Sequence, residues 1–269
     1  MALGSNRWGK SKVRVSKVLA GEERHDFVDI EVQILLQGDV EAAHVEGDNA
    51  GVLPTDTMRN TVYGLAQTHL NHDLERFGET LCGHFVAKDG ISTAQIVIEG
   101  HVWQRQTDHG FVGTSEQRVA RVTRGDESYT GAGLGGLVVL KTTGSAFEGF
   151  PRDVFTVLPE ASDRLLATSI SADWTYATLP DDTSVTWNRV REVLLDRFFG
   201  DWSASVQHQG YLMGEAVLES VEEISEISFR LPNQHHLPFD LTRFGMVWDG
   251  TVFHPVSEPY GDIYLTVTR

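Results

Sequence analysis

The feature that most constrains this chain is the order in which its apolar periodicity changes. Ile30, Val32, Ile34 and Leu36 alternate with polar neighbours, the period-two pattern of a strand with one buried face. Val13, Val15 and Val18 begin a similar stretch upstream, and Ala20-Gly21-Glu22-Glu23 reads as the turn between them, so the first 38 residues read as a β-hairpin. Pro54-Thr55-Asp56-Thr57 then offers helix-start chemistry before Met58–Leu70. Leu74, Phe77, Leu81 and Phe85 follow at helical spacing, and Gly90 stops that helix. Ile96, Ile98 and Val102 suggest one more strand, Val119 and Val122 another.

The second half repeats the plan. Leu137–Leu140 and Leu165–Tyr176 read as strands, Val185–Phe199 and Val206–Val221 as helices, and Ile224–Leu231 and Ile263–Val267 as closing strands. Two strand-pair, helix-pair, strand-pair units emerge, 1–136 and 137–269, with no Pro/Gly-rich linker between them. Antiparallel sheets backed by helices make the fold class α+β. Each sheet has a second face and edges that need cover, which predicts oligomerisation.

Composition narrows the function. The longest apolar runs, such as Leu137–Leu140, are too short to span a bilayer. The Met1–Lys10 segment lacks the apolar core of a signal peptide, and Thr266-Val267-Thr268-Arg269 is no Ser-Lys-Leu address, so a cytoplasmic protein is expected. Cys82 is the only cysteine, leaving no disulfide and no set of thiolates for zinc. With 38 acidic against 22 basic residues the net charge is −16, a field that repels nucleic acid and anionic membranes. Any anion site must therefore be a local arrangement of donors.

Two apparent motifs fail on context. Gly131-Ala132-Gly133-Leu134-Gly135-Gly136 matches G-x-G-x-x-G, but a dinucleotide site needs a strand before the glycines and a helix after them. Here polar Arg124–Thr130 precedes and strand-like Leu137–Leu140 follows, so a flexible turn into a strand is expected. His69 and His72 stand three apart without a His-Glu-x-x-His pattern, and no metal site is assigned.

Four polar segments remain. They are Trp8-Gly9-Lys10; Leu53-Pro54-Thr55-Asp56-Thr57 with Arg59–Tyr63; Ser145–Asp153 with Asp163-Arg164; and Ser205-Val206-Gln207 with Leu231–His236. Singly, each has an ordinary role: Thr55 or Asp56 can cap a helix, Phe147 can be core, and Lys10 or Gln207 can be plain surface. In this order and spacing they resemble the signatures of the urate oxidase (uricase) family, from about Arg7 to Arg269. Thr55–Tyr63, Leu140–Ser145 leading into Phe147, and Leu231–His236 are the most specific stretches, and Pro259-Tyr260-Gly261 also fits.

The resemblance implies tandem tunnelling-fold units whose sheets join into a barrel-like tunnel in a homotetramer. It also implies oxidation of urate by O2 without metal or flavin. Arg164 and Gln207 would grip the purine edges, with the Val206 backbone contributing, and Phe147 would stack on the ring. The N–H groups of Thr55 and Asp56, from a neighbouring subunit, would meet the five-membered ring. Lys10, Thr55 and His235 resemble the family's proton relay, and Asn233 would hold oxygen and then water above the ring. A lysine serves as a base only with help from desolvation or a relay. The family commonly has Tyr, Ala and Lys where this chain has Trp8, Pro54 and Gln234. The alternative is a purine-binding module without activity, which has no need of the complete Lys10/Thr55/His235 set.

Overall fold

The computed structural model describes residues 1–269. Its first half runs β1 (Trp8–Ala20), β2 (His25–Gly38), a short α1 (Glu41–Val45), α2 (Thr55–His69), α3 (Leu74–Val86), β3 (Ile91–Arg105) and β4 (Phe111–Gly125). The second runs β5 (Tyr129–Lys141), β6 (Leu166–Tyr176), α4 (Thr183–Gly200), α5 (Val206–Ser220), β7 (Ile224–Pro238), a single 3-10 turn and β8 (Phe253–Thr268). The strand-strand-helix-helix-strand-strand order thus occurs twice, as the periodicity requires. Strand order follows chain order from β1 to β8. No helix is long and apolar enough to cross a membrane.

The chain divides into two compact units, one of residues 1–134 with 173–188 and one of residues 135–172 with 189–269. In the first, β1 to β4 form a continuous antiparallel ladder. Ile30, Val32, Ile34 and Leu36 are fully buried there, facing Phe77, Leu81 and Phe85 of α3 and Met58 and Val62 of α2. Each of these large side chains contributes about 1.5–3 kcal/mol by leaving water, which is why the alternation so firmly fixes which face meets the helices.

The helix ends are treated unequally. Asp73 caps α3 by accepting from the Arg76 N–H at 3.1 Å, and Ser205 caps α5 by accepting from the His208 N–H at 3.1 Å. At the C-terminus of α2, the Lys17 ammonium donates to the carbonyls of Ala66, Gln67 and Leu70 at 3.0, 3.0 and 2.7 Å, meeting the negative end of the helix dipole. The N-terminus of α2 has Pro54 in the cap position and no side-chain cap.

Two local expectations are corrected. The glycine run 131–136 is not a turn; it lies inside β5. A Cβ at Gly131 would sit 2.6 Å from the Trp174 carbonyl oxygen, so glycine serves close backbone approach within the sheet. The strand read as Ile224–Leu231 does not end there either, since β7 continues to Pro238. Between the pairs Asn233↔Gly261 and His235↔Val256 the register with β8 shifts, and such a bulge re-aims side chains without ending the ladder.

Candidate active site

In the second unit, three chain segments are laced together by backbone hydrogen bonds. Ala146 N–H donates to the Ser203 carbonyl at 2.8 Å, and Ser203 N–H to that of Gly144 at 3.0 Å. Phe147 and Ala161 exchange bonds at 2.7 and 3.1 Å, and Arg164 N–H donates to the Ser145 carbonyl at 2.7 Å. The Asp163 carboxylate accepts from Gly144 N–H at 2.7 Å, from Ser145 N–H at 3.3 Å and from the Thr143 hydroxyl. The Thr143 hydroxyl, with those amides, holds the Asp163 carboxyl below the usual carboxylate range.

This lacing fixes Arg164 relative to Phe147. The guanidinium lies 5.3 Å from the centre of the Phe147 ring, and Phe147 in turn stacks on Phe150 at 4.9 Å. Arg164 is half-buried, and desolvation pushes its pKa down, yet a guanidinium stays charged in any folded protein. Its Nε is buried without a hydrogen-bond partner. Asp163, the adjacent carboxylate, is committed to the 143–145 turn, so Arg164 keeps an unspent planar fork.

The start of α5 borders the 203 segment. Ser205 caps the helix, Val206 is buried and Gln207 is exposed. Lys141, buried on β5, pins this first turn by donating to the Gln209 side chain at 2.8 Å and to the Asp201 carbonyl at 2.7 Å; desolvation pushes its pKa down. On β7, Asn233 Nδ2 lies 3.5 Å from Nδ1 of His235 across the bulge, and both are partly buried. The structure therefore joins Phe147 with Arg164, and Asn233 with His235.

Lys10, Thr55 and Asp56 belong to the first unit. Trp8 Nε1 donates to the Leu53 carbonyl at 3.0 Å, tying the start of β1 to the loop before α2. Lys10 stands two residues beyond Trp8 on the same strand face, and Thr55 two beyond Leu53. Lys10 pairs with buried Ile34, which places it on the helix-covered side of β1. The first helical bond of α2 runs from Met58 N–H to the Pro54 carbonyl at 3.2 Å, so the N–H groups of Thr55 and Asp56 lie ahead of it, at the positive end of the helix. The Asp56 carboxylate is turned away to Arg59 at 2.8 Å and Asn60 at 3.0 Å.

Sequence reasoning missed Asp163 and Lys141 as organisers. Lys141 left a signal: Leu137, Val139 and Lys141 fall at the buried positions of β5 by period two, and a lysine in that register needs partners. Asp163 left none, because its partners lie 18 to 20 residues away.

The uricase family model matches this chain twice, over residues 6–132 and 130–264. The chain belongs to the uricase family. The two matches coincide with the two strand-strand-helix-helix-strand-strand sets, so the repeat is one of the family itself. The uricase of Arthrobacter globiformis is 41% identical over 274 residues, covering 100% of this chain and 90% of that relative. The uricase of Dictyostelium discoideum is 36% identical, with 98% and 96% covered. The crystal structure of the Arthrobacter globiformis uricase superimposes with a TM-score of 0.95 at 42% identity, covering 100% of this chain and 95% of that one.

Proposed function

We propose that this member of the uricase family oxidises urate with O2 and water to 5-hydroxyisourate and hydrogen peroxide, at sites shared between subunits of a homotetramer. The observation that carries the substrate is the unpaired, desolvated guanidinium of Arg164 beside the Phe147 ring. A planar fork suits the carbonyl and ring-nitrogen edge of a planar anion, and in a chain of net charge −16 a free half-buried cation needs an anionic partner. Gln207 takes the opposite edge of the pyrimidine ring together with the Val206 backbone. The N–H groups of Thr55 and Asp56 meet the five-membered ring from the neighbouring subunit.

Urate monoanion must lose another proton before it gives electrons readily to oxygen. Lys10, relayed through the Thr55 hydroxyl and oriented by His235, accepts that proton. Two electrons then pass from the purine to O2, which becomes hydrogen peroxide, and the oxygen added at C5 comes from water. Asn233, with the Thr55 hydroxyl, holds O2 and then the attacking water over the ring. The chemistry as proposed draws on urate's own reducing power, so neither metal nor flavin enters a step.

The test is direct. Metal-stripped, flavin-free protein is incubated with urate in air while urate absorbance and peroxide are followed. No urate loss at high enzyme concentration overturns the activity, and loss that requires added zinc or flavin overturns the mechanism. Lys10→Met is expected to bind urate and lose most turnover; undiminished turnover removes Lys10 from the relay.

A further inference from the structure

The first unit contains a cavity of about 330 Å³ that none of the residues proposed to hold urate lines. That volume falls at the lower end of small-molecule sites. Its walls are Leu74 at the start of α3, the Gly100–Trp103 stretch of β3, Arg118 of β4, and Ser184, Trp187 and Asn188 from the first turns of α4. This place in the fold repeats that of the urate residues. Val206 opens α5 as Leu74 opens α3, each after a capping residue, Ser205 or Asp73. Asn233 stands nine residues after Ile224 on β7, as Gly100 stands nine after Ile91 on β3. The start of α4, which opens on Thr183, supplies the third wall, as α2, which opens on Thr55, does in the proposed urate site.

We infer that this cavity is a second binding site, for a neutral planar N-heterocycle of purine size. Its charges are already cancelled. Arg118, nine-tenths buried, donates to Glu75 at 2.6 Å, to the Thr183 hydroxyl at 2.9 Å and to the His72 carbonyl at 2.6 Å. Asp29 takes both arms of Arg14, at 2.7 and 2.6 Å, and Trp103 Nε1 at 3.3 Å. Neither leaves a free ion to attract an anion or a cation, in contrast to Arg164. The polar groups of its lining include the imidazole of His101, that of His72 with Nε2 3.9 Å from the Asp26 carboxylate, the side-chain oxygen of Asn188, whose N–H₂ donates to the Ser184 carbonyl at 2.9 Å, and Arg118 Nε, which is buried without a partner. They offer donors and acceptors in balance, between the aromatic surfaces of Phe27, Trp103 and Trp187. A neutral purine base matches that set, and urate anion does not.

Hypoxanthine is the probe, measured by equilibrium dialysis on the full chain under nitrogen with saturating urate. The expected result is one hypoxanthine per chain that urate does not displace, with a dissociation constant at or below about 1 mM. Asn188→Trp, at an exposed helix position, fills the mouth and should weaken binding by at least about tenfold, roughly 1.4 kcal/mol, with urate turnover and melting temperature unchanged. His101→Ala should weaken binding without blocking the cavity. Complete displacement by urate, or hypoxanthine binding to N188W equal to the parent's, overturns the second site. Absence of urate oxidation alongside a surviving N188W-sensitive site would overturn the urate reading alone.

Discussion

Asp163→Ala tests whether the candidate site is held in shape by one carboxylate that never touches the substrate. Asp163 accepts from two backbone amides, at 2.7 and 3.3 Å, and from the Thr143 hydroxyl. Hydrogen bonds to a charged group contribute about 1.5–3 kcal/mol each when shielded. Asp163 is exposed, so water competes for the same amides and the total is discounted to about 1–2 kcal/mol. That energy orders the 143–145 turn, whose Ser145 carbonyl receives the Arg164 N–H. Loosening the turn should raise KM for urate by about 5–30-fold, since 1.4 kcal/mol is a factor of ten. The turnover number should change far less, because the proposed relay of Lys10, Thr55 and His235 does not include this turn. Asp163→Asn keeps an oxygen for the amides and an N–H₂ for the Thr143 hydroxyl, so it should recover most of the affinity. Steady-state urate oxidation with both variants, alongside their melting temperatures, decides the matter. Unchanged KM in D163A refutes the reasoning, as does a fall in kcat and melting temperature that D163N does not rescue. The pH dependence follows from sign. The Asp163 carboxyl titrates below its unfolded value, so its contribution is complete above the usual carboxylate range and is lost only as pH falls through the lowered value.

Arg118→Met should destabilise the first unit by about 3–5 kcal/mol in urea unfolding, because Glu75, fully buried, keeps its charge without a partner; adding Glu75→Gln should recover much of the loss. Lys141→Met strips donors from the Gln209 side chain and the Asp201 carbonyl, and should cost about 2 kcal/mol. The buried lysine titrates below its unfolded value, so the parent gains stability as pH rises between the lowered and ordinary lysine values; K141M should lack that rise in its melting curve. Gly9→Ala would place Cβ 1.8 Å from the Ile34 carbonyl oxygen, forcing β1 to shift beside Lys10. A loss of about 2–4 kcal/mol with most of the turnover is expected, measured by thermal melts and urate assay.

The fold was legible where burial is one-sided. Ile30 to Leu36 alternate because one face of β2 meets α2 and α3, and Leu74, Phe77, Leu81 and Phe85 recur at helical spacing for the same reason. It was illegible where backbone rather than side chains decides. The glycines of β5 carry no apolar pattern, and at Gly131 the backbone needs the room for its close approach to Trp174. The outer reach of β3 and β4, paired as far as Arg105 with Phe111, and the far end of β7 are ladders whose side chains are exposed or only half-buried, so hydrogen bonds extend them without a hydrophobic signature.

The candidate site was legible as residues and illegible as a circuit. Arg164 and Phe147 were singled out by resemblance, yet nothing local in Asp163-Arg164 says that the two charges do not pair. What separates them is the 143–145 turn, which captures the carboxylate and leaves the guanidinium free. A second arginine offers a contrast, although the repeat does not match it to Arg164: Arg118 lies on β4 opposite Gly100, whereas Arg164 precedes β6. Arg118 in the first unit also lies near an aromatic ring, 5.9 Å from Trp187, but buried Glu75 neutralises it. Burying a cation without a partner costs several kcal/mol, and on the proposed reading that cost at Arg164 is what an incoming anion relieves. On the readings proposed above, the charge that each arginine still has to offer is what separates a site for an anionic ligand from a site for a neutral one.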